Sequence, residues 1–524
     1  MSEQPASERQ LSSLQSIVDG ASIFIIGEIL YKASGFVLNF LLAKALGPVL
    51  YGVYSYAYSY ITVSTTFAGM GTDNAVLRYL PAYSDDESTQ NWVFGLSTLS
   101  TVVGSCLVAG GLFVLAPTIN QYTLNHELFV DVMRIIAIIL PFDTLIRLFS
   151  STFRGLELPT EQILLQKILR PGLRICVVAF ALFLGYTLLD TVAALVVASV
   201  LACSLGVYLL LRRTSLRPSF AGLSGNSATR EIASYYNYSL PLMFSQAGSI
   251  LYNRIDVFMV GYFIESSAVG FYNIAFLMSS AITLPLIGVN QLFAPIASRL
   301  YDDGEQAELN EIYTTVTRWV FTVSLFATLG AIIYARDVLA ILGQDYVPGA
   351  PVLALFAVGQ LLNASVGPSN YLLMMTDHQY VSFLNHWGFG LLNVVLNVYF
   401  ILQFGFVGAA LATASILGAL NIARWLEIRH LEGLTPFSRE YYKPIVAGIG
   451  AAGALYFPTL WLSGVVLLVV GGVFGLLIYV LVLYLLGVEQ SDIEFAKQMW
   501  NRHSGWLLDM QCCDTEVEIS KSRY

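Results

Sequence analysis

The sequence predicts an all-α polytopic membrane protein with about fourteen transmembrane helices. Of its 524 residues, 56% are hydrophobic and only 12% are charged, whereas a soluble protein carries about 25% charged residues. Fourteen apolar runs are long enough to span a membrane, and Lys, Arg, Asp or Glu interrupt several of them. An ionised side chain in hydrocarbon costs roughly 3 kcal/mol or more unless it lines a hydrated cavity or has a partner. We therefore expect the helices to enclose a charged, hydrated path.

The apolar runs are placed by the ~20 residues that an α-helix needs to cross ~30 Å of hydrocarbon. The first six predicted helices lie at 22–45, 53–71, 92–115, 128–150, 163–184 and 191–211. The next six lie at 238–263, 270–293, 316–334, 352–375, 381–403 and 406–426, and the last two at 445–461 and 465–486. The predicted units are an N-terminal tail (1–21), a six-helix lobe (22–211), a linker (212–235), a second six-helix lobe (236–428), a basic loop with two helices (429–487) and a C-terminal tail (488–524).

Basic residues concentrate on one side of the predicted helices. Connections that follow even-numbered helices carry most of the arginines, including Arg78, Arg299 and four in the linker, while the opposite connections carry little beyond Lys44 and Arg336. Cytoplasmic loops hold the excess of Lys and Arg. We therefore expect a multi-pass protein of the cell membrane with both termini in the cytoplasm.

A short pattern repeats between the two predicted lobes. The pattern G-x-Y-x-x-A opens the second predicted helix at Gly52 and the eighth at Gly270. Because six helices return the chain to its starting side, the two copies have the same orientation, as in transporters built from parallel repeats. Such halves can rock against each other around a central cleft.

Two segments resemble a known family. Residues 42–54, LAKALGPVLYGVY, are similar to the first-helix to second-helix signature of polysaccharide (O-antigen type) flippases. Residues 256–263, DVFMVGYF, followed by VGFY at 269–272, resemble the matching junction of the second lobe. These flippases belong to the multidrug/oligosaccharidyl-lipid/polysaccharide (MOP) exporter superfamily. The resemblance implies two six-helix lobes in a V around a central cavity, a C-terminal helix pair, and export of a lipid-linked oligosaccharide by alternating access.

The fifth predicted helix carries a basic stripe. Lys167, Arg170 and Arg174 are spaced i, i+3 and i+7 and so share one face of a regular α-helix. At ~1.5 Å per residue, Arg174 lies ~20 Å deep, near the bilayer midplane. Arg binds phosphate oxygens through two parallel hydrogen bonds, so one hypothesis is an anion site facing the cavity. The other is that these cations pair with acids on neighbouring helices. Pro171 either kinks this helix or is a tolerated membrane proline.

The first and seventh predicted helices supply further charges. Glu28 and Lys32 are four residues apart and either neutralise each other or leave Lys32 to contact a phosphate with Glu28 as its modulator. Arg254 and Asp256 point roughly 200° apart on a helix, so they cannot share a face. We interpret Arg254 as the second-lobe counterpart of Lys32. A cation on each lobe could clamp one anion between them.

Three carboxylates are candidates for ion coupling. Acids in a low-dielectric cavity can carry protons or coordinate sodium, and the candidates here are Glu28, Asp143 and Asp256. Asp143 also has Arg147 four residues later, and because Arg147 lies toward the cytoplasmic end of the predicted helix, we expect it to anchor at the membrane interface. The sequence does not distinguish protons, sodium, membrane potential or downstream consumption of the glycan as the energy source.

The tyrosines of one predicted helix and the asparagines of another each allow two interpretations. The tyrosines near the start of the second predicted helix suit either an interfacial belt or sugar stacking: Tyr51, Tyr54, Tyr56, Tyr58 and Tyr60. The asparagines of the eleventh predicted helix suit either sugar hydroxyls or helix–helix contacts: Asn385, Asn393 and Asn397.

Motifs of ATP hydrolysis and metal catalysis are absent from the sequence. We therefore expect a transporter without cofactor or metal, whose partners are a polyprenyl-phosphate- or diphosphate-linked oligosaccharide, membrane lipid and glycan-assembly enzymes, but no nucleic acid. One alternative is a multidrug exporter of the same superfamily, although cationic drugs would need an acidic lumen. The other is a membrane glycosyltransferase or polymerase, although no loop is long enough to fold alone.

Overall fold

The structure is a computed structural model, and it describes residues 6–219 and 226–487. These described residues form helices and contain no β-strand. The helices of the first half are α1 (Ala6–Ala68), α2 (Thr72–Ala82), α3 (Glu87–Tyr122), α4 (Phe129–Ala137), α5 (Ile139–Gly155), α6 (Pro159–Ile163), α7 (Arg170–Phe183) and α8 (Leu188–Arg213). A π-helical turn, Leu164–Leu169, joins α6 to α7.

The second half is also built of helices. Its helices are α9 (Asn226–Phe263), α10 (Ser266–Ser280), α11 (Leu284–Asp302), α12 (Gln306–Ile333), α13 (Ala335–Ala340), α14 (Ala350–Ala364), α15 (Ser369–Met375) and α16 (Gln379–Leu431). The last two are α17 (Tyr442–Tyr456) and α18 (Gly464–Leu485). Short 3-10 turns occupy Ala281–Thr283, Gln344–Gly349, Arg439–Tyr441 and Phe457–Leu460.

Two long helices each contain a break that separates two predicted crossings. In α1, Gly47 has a φ of 72° and is followed by Pro48; in α16, Gly405 has a φ of 61°. Glycine adopts a positive φ at little cost, and proline removes a backbone donor, so a helix that meets them changes direction. The predicted helices 22–45 and 53–71 are therefore the two arms of α1.

The all-α polytopic fold class is confirmed. Among the described residues, eight helical segments are long and apolar enough to cross a membrane. Two of them, Gly27–Ala82 and Gln379–Leu431, each extend over two predicted crossings, and other predicted crossings are divided into shorter helices. The count of fourteen crossings and the V-shaped layout of two lobes stay predictions.

The predicted domain boundaries also stay predictions. Residues 1–5, 220–225 and 488–524 lie outside the described residues, and they include parts of the predicted N-terminal tail and linker and the whole predicted C-terminal tail. Helix α9 begins at Asn226, inside the predicted linker, and its residue Tyr235 is buried.

Capping residues explain where two helices begin. Asp86 precedes α3 and accepts hydrogen bonds from the backbone N–H groups of Ser88 and Thr89, both at 3.1 Å. The Thr89 hydroxyl also donates to Asp86, and together these bonds hold the pKa of Asp86 below its ordinary value. Helix α8 begins with a capping box between Thr187 and Asp190. Both caps lie in connections between predicted crossings.

The two halves pack together where the repeated pattern lies. Helices α1 and α10 approach so closely that a Cβ added to Gly52 would lie 1.8 Å from the carbonyl oxygen of Ser266, and one added to Gly270 would lie 2.2 Å from that of Pro48. Nearby, the Tyr346 hydroxyl donates to the carbonyl of Ala43 at 2.9 Å. The largest apolar cluster of buried side chains includes residues of both halves. We call the contact of α1 with α10 at Gly52 and Gly270 the glycine gate.

A second contact joins the halves at the start of α9. The Tyr235 hydroxyl lies 2.7 Å from the Ser97 hydroxyl, and the Tyr236 hydroxyl lies 2.6 Å from that of Ser100. A Cβ on Gly71 would lie 2.2 Å from the carbonyl oxygen of Ser239. We call the contact of Tyr235 and Tyr236 with Ser97 and Ser100 the tyrosine gate. By the predicted orientation the glycine gate lies on the outer side and the tyrosine gate on the cytoplasmic side.

Candidate functional site: a cationic cavity between the halves

A cavity of about 800 Å³ lies between the two halves. Its walls come from α1 and the start of α7 on one side, and from α9, α10, the start of α11 and α14 on the other. Among the described lining residues four are basic and none is acidic, and the basic residues are Lys32, Arg170, Arg174 and Arg254. We call this the cationic cavity. Four of the five predicted substrate-binding cations therefore meet in one place.

Arg174 is the most enclosed of these cations. Its side chain is buried, and Nη2 donates to the two carboxylate oxygens of Asp143 at 2.8 and 2.7 Å and to the Ser199 hydroxyl at 3.2 Å. Nη1 donates to the Tyr58 hydroxyl at 2.7 Å. Arg174 therefore lines the cavity and also pairs with an acid on a neighbouring helix, so it combines the two predicted roles.

Arg170 shares the same carboxylate. Its Nη2 donates to Asp143 Oδ2 at 2.7 Å. Because one buried carboxylate receives two guanidinium groups, the cluster keeps an excess positive charge beside the cavity. Asp143 positions both arginines, a role that the sequence did not assign to it.

A π-helical turn separates Lys167 from the two arginines. Pro171 lacks the N–H that would bond to the carbonyl of residue 167, and the Arg170 N–H donates to the carbonyl of Leu165, five residues earlier. The wider turn rotates Lys167 relative to α7, and Lys167 does not line the cationic cavity. The predicted continuous face is therefore broken by a π-helical turn that ends next to Pro171.

Lys167 instead forms an ion pair with Glu28 of α1. The alternative that Glu28 and Lys32 neutralise each other is therefore wrong. Lys32 lies on the cavity wall with its side chain exposed, and it forms no ion pair with any described residue. Glu28 pairs across helices because Lys167 approaches α1 from the π-helical turn.

Arg254 reaches the cavity from the second half. Its guanidinium lies 5.3 Å from the centre of the Phe276 ring, a cation–π contact. It forms no ion pair with any side chain that the structure describes. The cavity thus carries one cation from each half, Lys32 and Arg254, that has no ion-pair partner among the described side chains. They line the cavity together with Arg170 and Arg174, which form with Asp143 what we call the Asp143 cluster.

Asp256 points away from the cationic cavity. It is buried and bonded to neutral donors: the Tyr272 hydroxyl at 2.5 Å, the Thr413 hydroxyl at 3.2 Å and the backbone N–H of Val257 at 2.8 Å. Glu28 and Asp143, by contrast, each have a cationic partner. Of the three coupling candidates, only Asp256 is held by neutral hydrogen-bond donors.

Arg147 does not pair with Asp143. Its Nη2 lies 2.7 Å from Asp73 of α2, and Asp143 is occupied by the two arginines of α7. The sequence did not single out Asp73, because it lies at a helix start far from Arg147 along the chain.

The tyrosines at the start of the second predicted helix do not form an interfacial belt. Tyr51, Tyr54 and Tyr56 are 1–3% exposed. The rings of Tyr54 and Tyr58 stack 5.7 Å apart, and both line the cationic cavity. This places aromatic faces beside the cations.

The predicted asparagines divide between helix contacts and a cavity. Asn385 donates to Glu427 at 2.7 Å, and Asn397 donates to Asn393 at 2.8 Å. Asn393 also lines a second, smaller cavity within the second half. Sequence reasoning missed Gln360, which lines both cavities, since a single glutamine in an apolar helix carries no pattern.

Two sequence families match this chain. The profile of the family described as "Polysaccharide biosynthesis protein" matches residues 17–301, more than half of the chain. The profile described as "MatE" matches residues 241–399. The two matches together extend over both halves of the fold.

Individual relatives agree with these profiles. The "Teichuronic acid biosynthesis protein TuaB" of Bacillus subtilis is 24% identical over 377 residues, which cover 70% of this chain and 74% of TuaB. The "Probable low-salt glycan biosynthesis flippase Agl15" of Haloferax volcanii is 26% identical over 263 residues, which cover 47% of this chain and 53% of Agl15.

A solved structure shares the fold. The structure described as "Lipid II flippase MurJ, inward closed conformation" superposes with a TM-score of 0.69 at 13% identity, covering 90% of this chain and 99% of MurJ. At this identity the likeness establishes the fold, while the profile match over residues 17–301 establishes the family. The chain is a member of the polysaccharide biosynthesis protein family.

Proposed function

We propose that this protein is a flippase that moves a lipid-linked oligosaccharide from the cytoplasmic to the outer leaflet, for the synthesis of cell-surface polysaccharide or glycoprotein glycans. The observation that carries this proposal is the cationic cavity, whose described lining holds four basic residues and no acidic one. A phosphate or diphosphate headgroup is the part of such a lipid that requires positive charge. TuaB and Agl15 carry names from glycan biosynthesis, which supports the same substrate class.

In this proposal the cations have different tasks. Lys32 and Arg254 contact the phosphate oxygens from opposite halves, because neither has an ion-pair partner among the described residues. Arg170 and Arg174 supply excess positive charge while Asp143 fixes their positions. The polyprenyl tail stays in the surrounding lipid.

Transport requires movement between a state open to the cytoplasm and a state open to the outer side. A ligand shifts an equilibrium only by its difference in affinity for the two states. A headgroup that binds both Lys32 and Arg254 stabilises the state in which the two halves lie close together at the depth of these two residues. The glycine gate and the tyrosine gate would then open in turn, with the termini in the cytoplasm.

Asp256 is the proposed coupling group. Its buried carboxylate contacts the hydroxyls of Tyr272 and Thr413, oxygen ligands of the kind that hold sodium, and it can also take up a proton. It lies beside Arg254 in sequence yet faces another neighbour, so ion binding at Asp256 can alter α9 without occupying the headgroup site.

A multidrug exporter is the second candidate, and the "MatE" match is what favours it. Cationic drugs need carboxylates in the lumen, and the described lining of the cationic cavity supplies cations instead. We therefore favour the glycan flippase.

The test is a translocation assay in proteoliposomes with a fluorescent polyprenyl-diphosphate oligosaccharide. Wild type should move the label between leaflets, and Arg254→Ala should insert normally but translocate at least tenfold more slowly, the effect of losing one hydrogen bond to a charged group. Arg429→Ala, which removes an exposed arginine, is the matched control. No translocation by wild type, or full activity of Arg254→Ala, would contradict the proposal.

A further inference from the structure

A second cavity of about 290 Å³ lies within the second half, beside the cationic cavity. We call it the amide cavity because five carboxamide side chains line it: Asn290, Gln360, Asn363, Asn370 and Asn393. Three residues that carry hydroxyls, Ser369, Tyr371 and Thr413, also line it, together with Arg424 and His386. Among the described lining residues none carries a carboxylate.

Carboxamides around a void imply a particular kind of occupant. Each amide presents a carbonyl oxygen that accepts and an NH₂ group that donates hydrogen bonds, and it has no net charge. Buried polar groups without partners cost free energy. A ligand that pairs with amides that lack protein partners must therefore both donate and accept hydrogen bonds, as a hydroxyl does. An inorganic cation could bind the amide oxygens but would leave the NH₂ groups without acceptors, and Arg424 would repel it.

Two of the amides lack protein partners. Gln360 is 8% exposed, lines the amide cavity and the cationic cavity, and makes no hydrogen bond with any described residue. Asn290 has a buried Oδ1 without a hydrogen-bond partner in the described part of the chain. A nearly buried amide between two cavities is placed to bond to something that occupies them.

Other amides are held in position by the protein. Asn363 Oδ1 accepts from Asn421 Nδ2 at 3.2 Å, and Asn370 Oδ1 accepts from the Ser382 hydroxyl at 2.9 Å. These bonds fix the orientation of both amides before any ligand enters. Such preorganisation lowers the entropic cost of binding.

We propose that the amide cavity binds a neutral, hydroxyl-rich sugar unit of the transported glycan while the cationic cavity holds its phosphate. This inference rests on the proposed function. Gln360 and Phe276 belong to the walls of both cavities, so a headgroup between Lys32 and Arg254 can extend its sugar past Gln360. The amide cavity would thus select the first sugars of the glycan, independently of the charge that selects the phosphate.

The test uses ligands that lack phosphate and therefore do not depend on the cationic cavity. Saturation-transfer NMR on the purified full chain would measure binding of the methyl glycosides of glucose, galactose, mannose and N-acetylglucosamine, with methyl glucuronoside as the acidic comparison. The variants are Gln360→Met, which conserves side-chain volume, and Asn290→Leu. Gln403→Met removes an exposed glutamine as the matched control.

We expect at least one neutral glycoside to bind wild type and Gln403→Met, and to bind both cavity variants about tenfold more weakly. Either variant suffices if the other fails to fold. Absence of binding by every neutral glycoside, binding of the glucuronoside alone, or equal binding by the cavity variants would overturn the proposal. If translocation still depends on Arg254 in that case, the proposed function stands; if wild type binds sugars but translocates no lipid-linked glycan, the proposed function fails instead.

Discussion

Gly52 lies directly against the backbone of Ser266, so that a Cβ on Gly52 would stand 1.8 Å from the Ser266 carbonyl oxygen. No rotation of a side chain relieves such a contact, because the backbone fixes the position of the Cβ and the oxygen belongs to the backbone of Ser266. Helices α1 and α10 must therefore separate if residue 52 gains a methyl group. Since the two helices belong to different halves, this contact controls how closely the halves approach at the glycine gate.

The first prediction is that Gly52→Ala opens the glycine gate. Overpacking of this kind costs about 1–3 kcal/mol, which is a 5- to 150-fold change in an equilibrium. Spin labels at Val49 and Tyr262, both exposed, would report a longer distance. Gly110→Ala is the control, because a Cβ on Gly110 meets nothing within 4 Å. An unchanged distance in Gly52→Ala would contradict this role.

The second prediction is that Tyr235→Phe with Tyr236→Phe weakens the tyrosine gate. Each hydroxyl bonds to a serine of α3, and each such bond contributes about 0.5–1.5 kcal/mol. Ser97 and Ser100 keep their bonds to the carbonyls of Val93 and Leu96. Since neither serine hydroxyl of α3 loses all its hydrogen bonds, we expect the protein to fold.

Spin labels at the exposed positions Tyr83 and Ile232 would measure the result of that double change. We expect a longer distance there and no increase at the glycine gate. A simultaneous opening at both gates would mean that the tyrosines stabilise the fold as a whole rather than one state of it.

The third prediction concerns the Asp143 cluster. Asp143→Asn leaves the guanidinium groups of Arg170 and Arg174 without their carboxylate, and breaking a buried ion pair costs about 3–5 kcal/mol. Thermal unfolding in detergent should show a large loss of stability, while Glu308→Gln, at an exposed position, should show none. Adding Arg174→Met to Asp143→Asn should recover part of the loss. Full stability of Asp143→Asn would show that the pair is not structural.

The fourth prediction separates coupling from substrate binding. Asp256 does not line the cationic cavity, so Asp256→Asn should leave headgroup binding unchanged. Translocation by this variant should no longer respond to a sodium or proton gradient. Asp345→Asn, at an exposed position, is the control. Weaker headgroup binding in Asp256→Asn would place this residue in the substrate site instead.

Much of the fold followed from the sequence because hydrocarbon imposes simple rules. Apolar length was enough to predict the helices, and the charges within them were enough to predict a cavity, while the repeat of two related lobes stays a prediction. Helix boundaries were harder to predict, because a break such as the one at Gly47 depends on a single backbone torsion.

The candidate site was predictable in composition but not in pairing. A charged side chain deep in the membrane must line a hydrated cavity or pair with an opposite charge. This requirement identified Arg170, Arg174 and Arg254. Their partners depend on which helices become neighbours, so the Glu28–Lys167 pair could not be read from spacing along one helix. The π-helical turn beside Pro171 also changed which residues share a face.

Amides were the least predictable part of the site. Gln360 and Asn290 carry no charge, so burial in a membrane helix is not costly enough to single them out in the sequence. Only the cavity beside them shows what they have in common.

The most direct measurement is binding of two matched lipids to the purified protein: a prenyl diphosphate and a prenyl trimethylammonium with the same tail. Wild type should bind the diphosphate and not the ammonium, and Lys32→Ala with Arg254→Ala should weaken diphosphate binding by about tenfold or more for each lost cation. The opposite preference, or diphosphate binding that survives the loss of both cations, would contradict an anion site between the two halves.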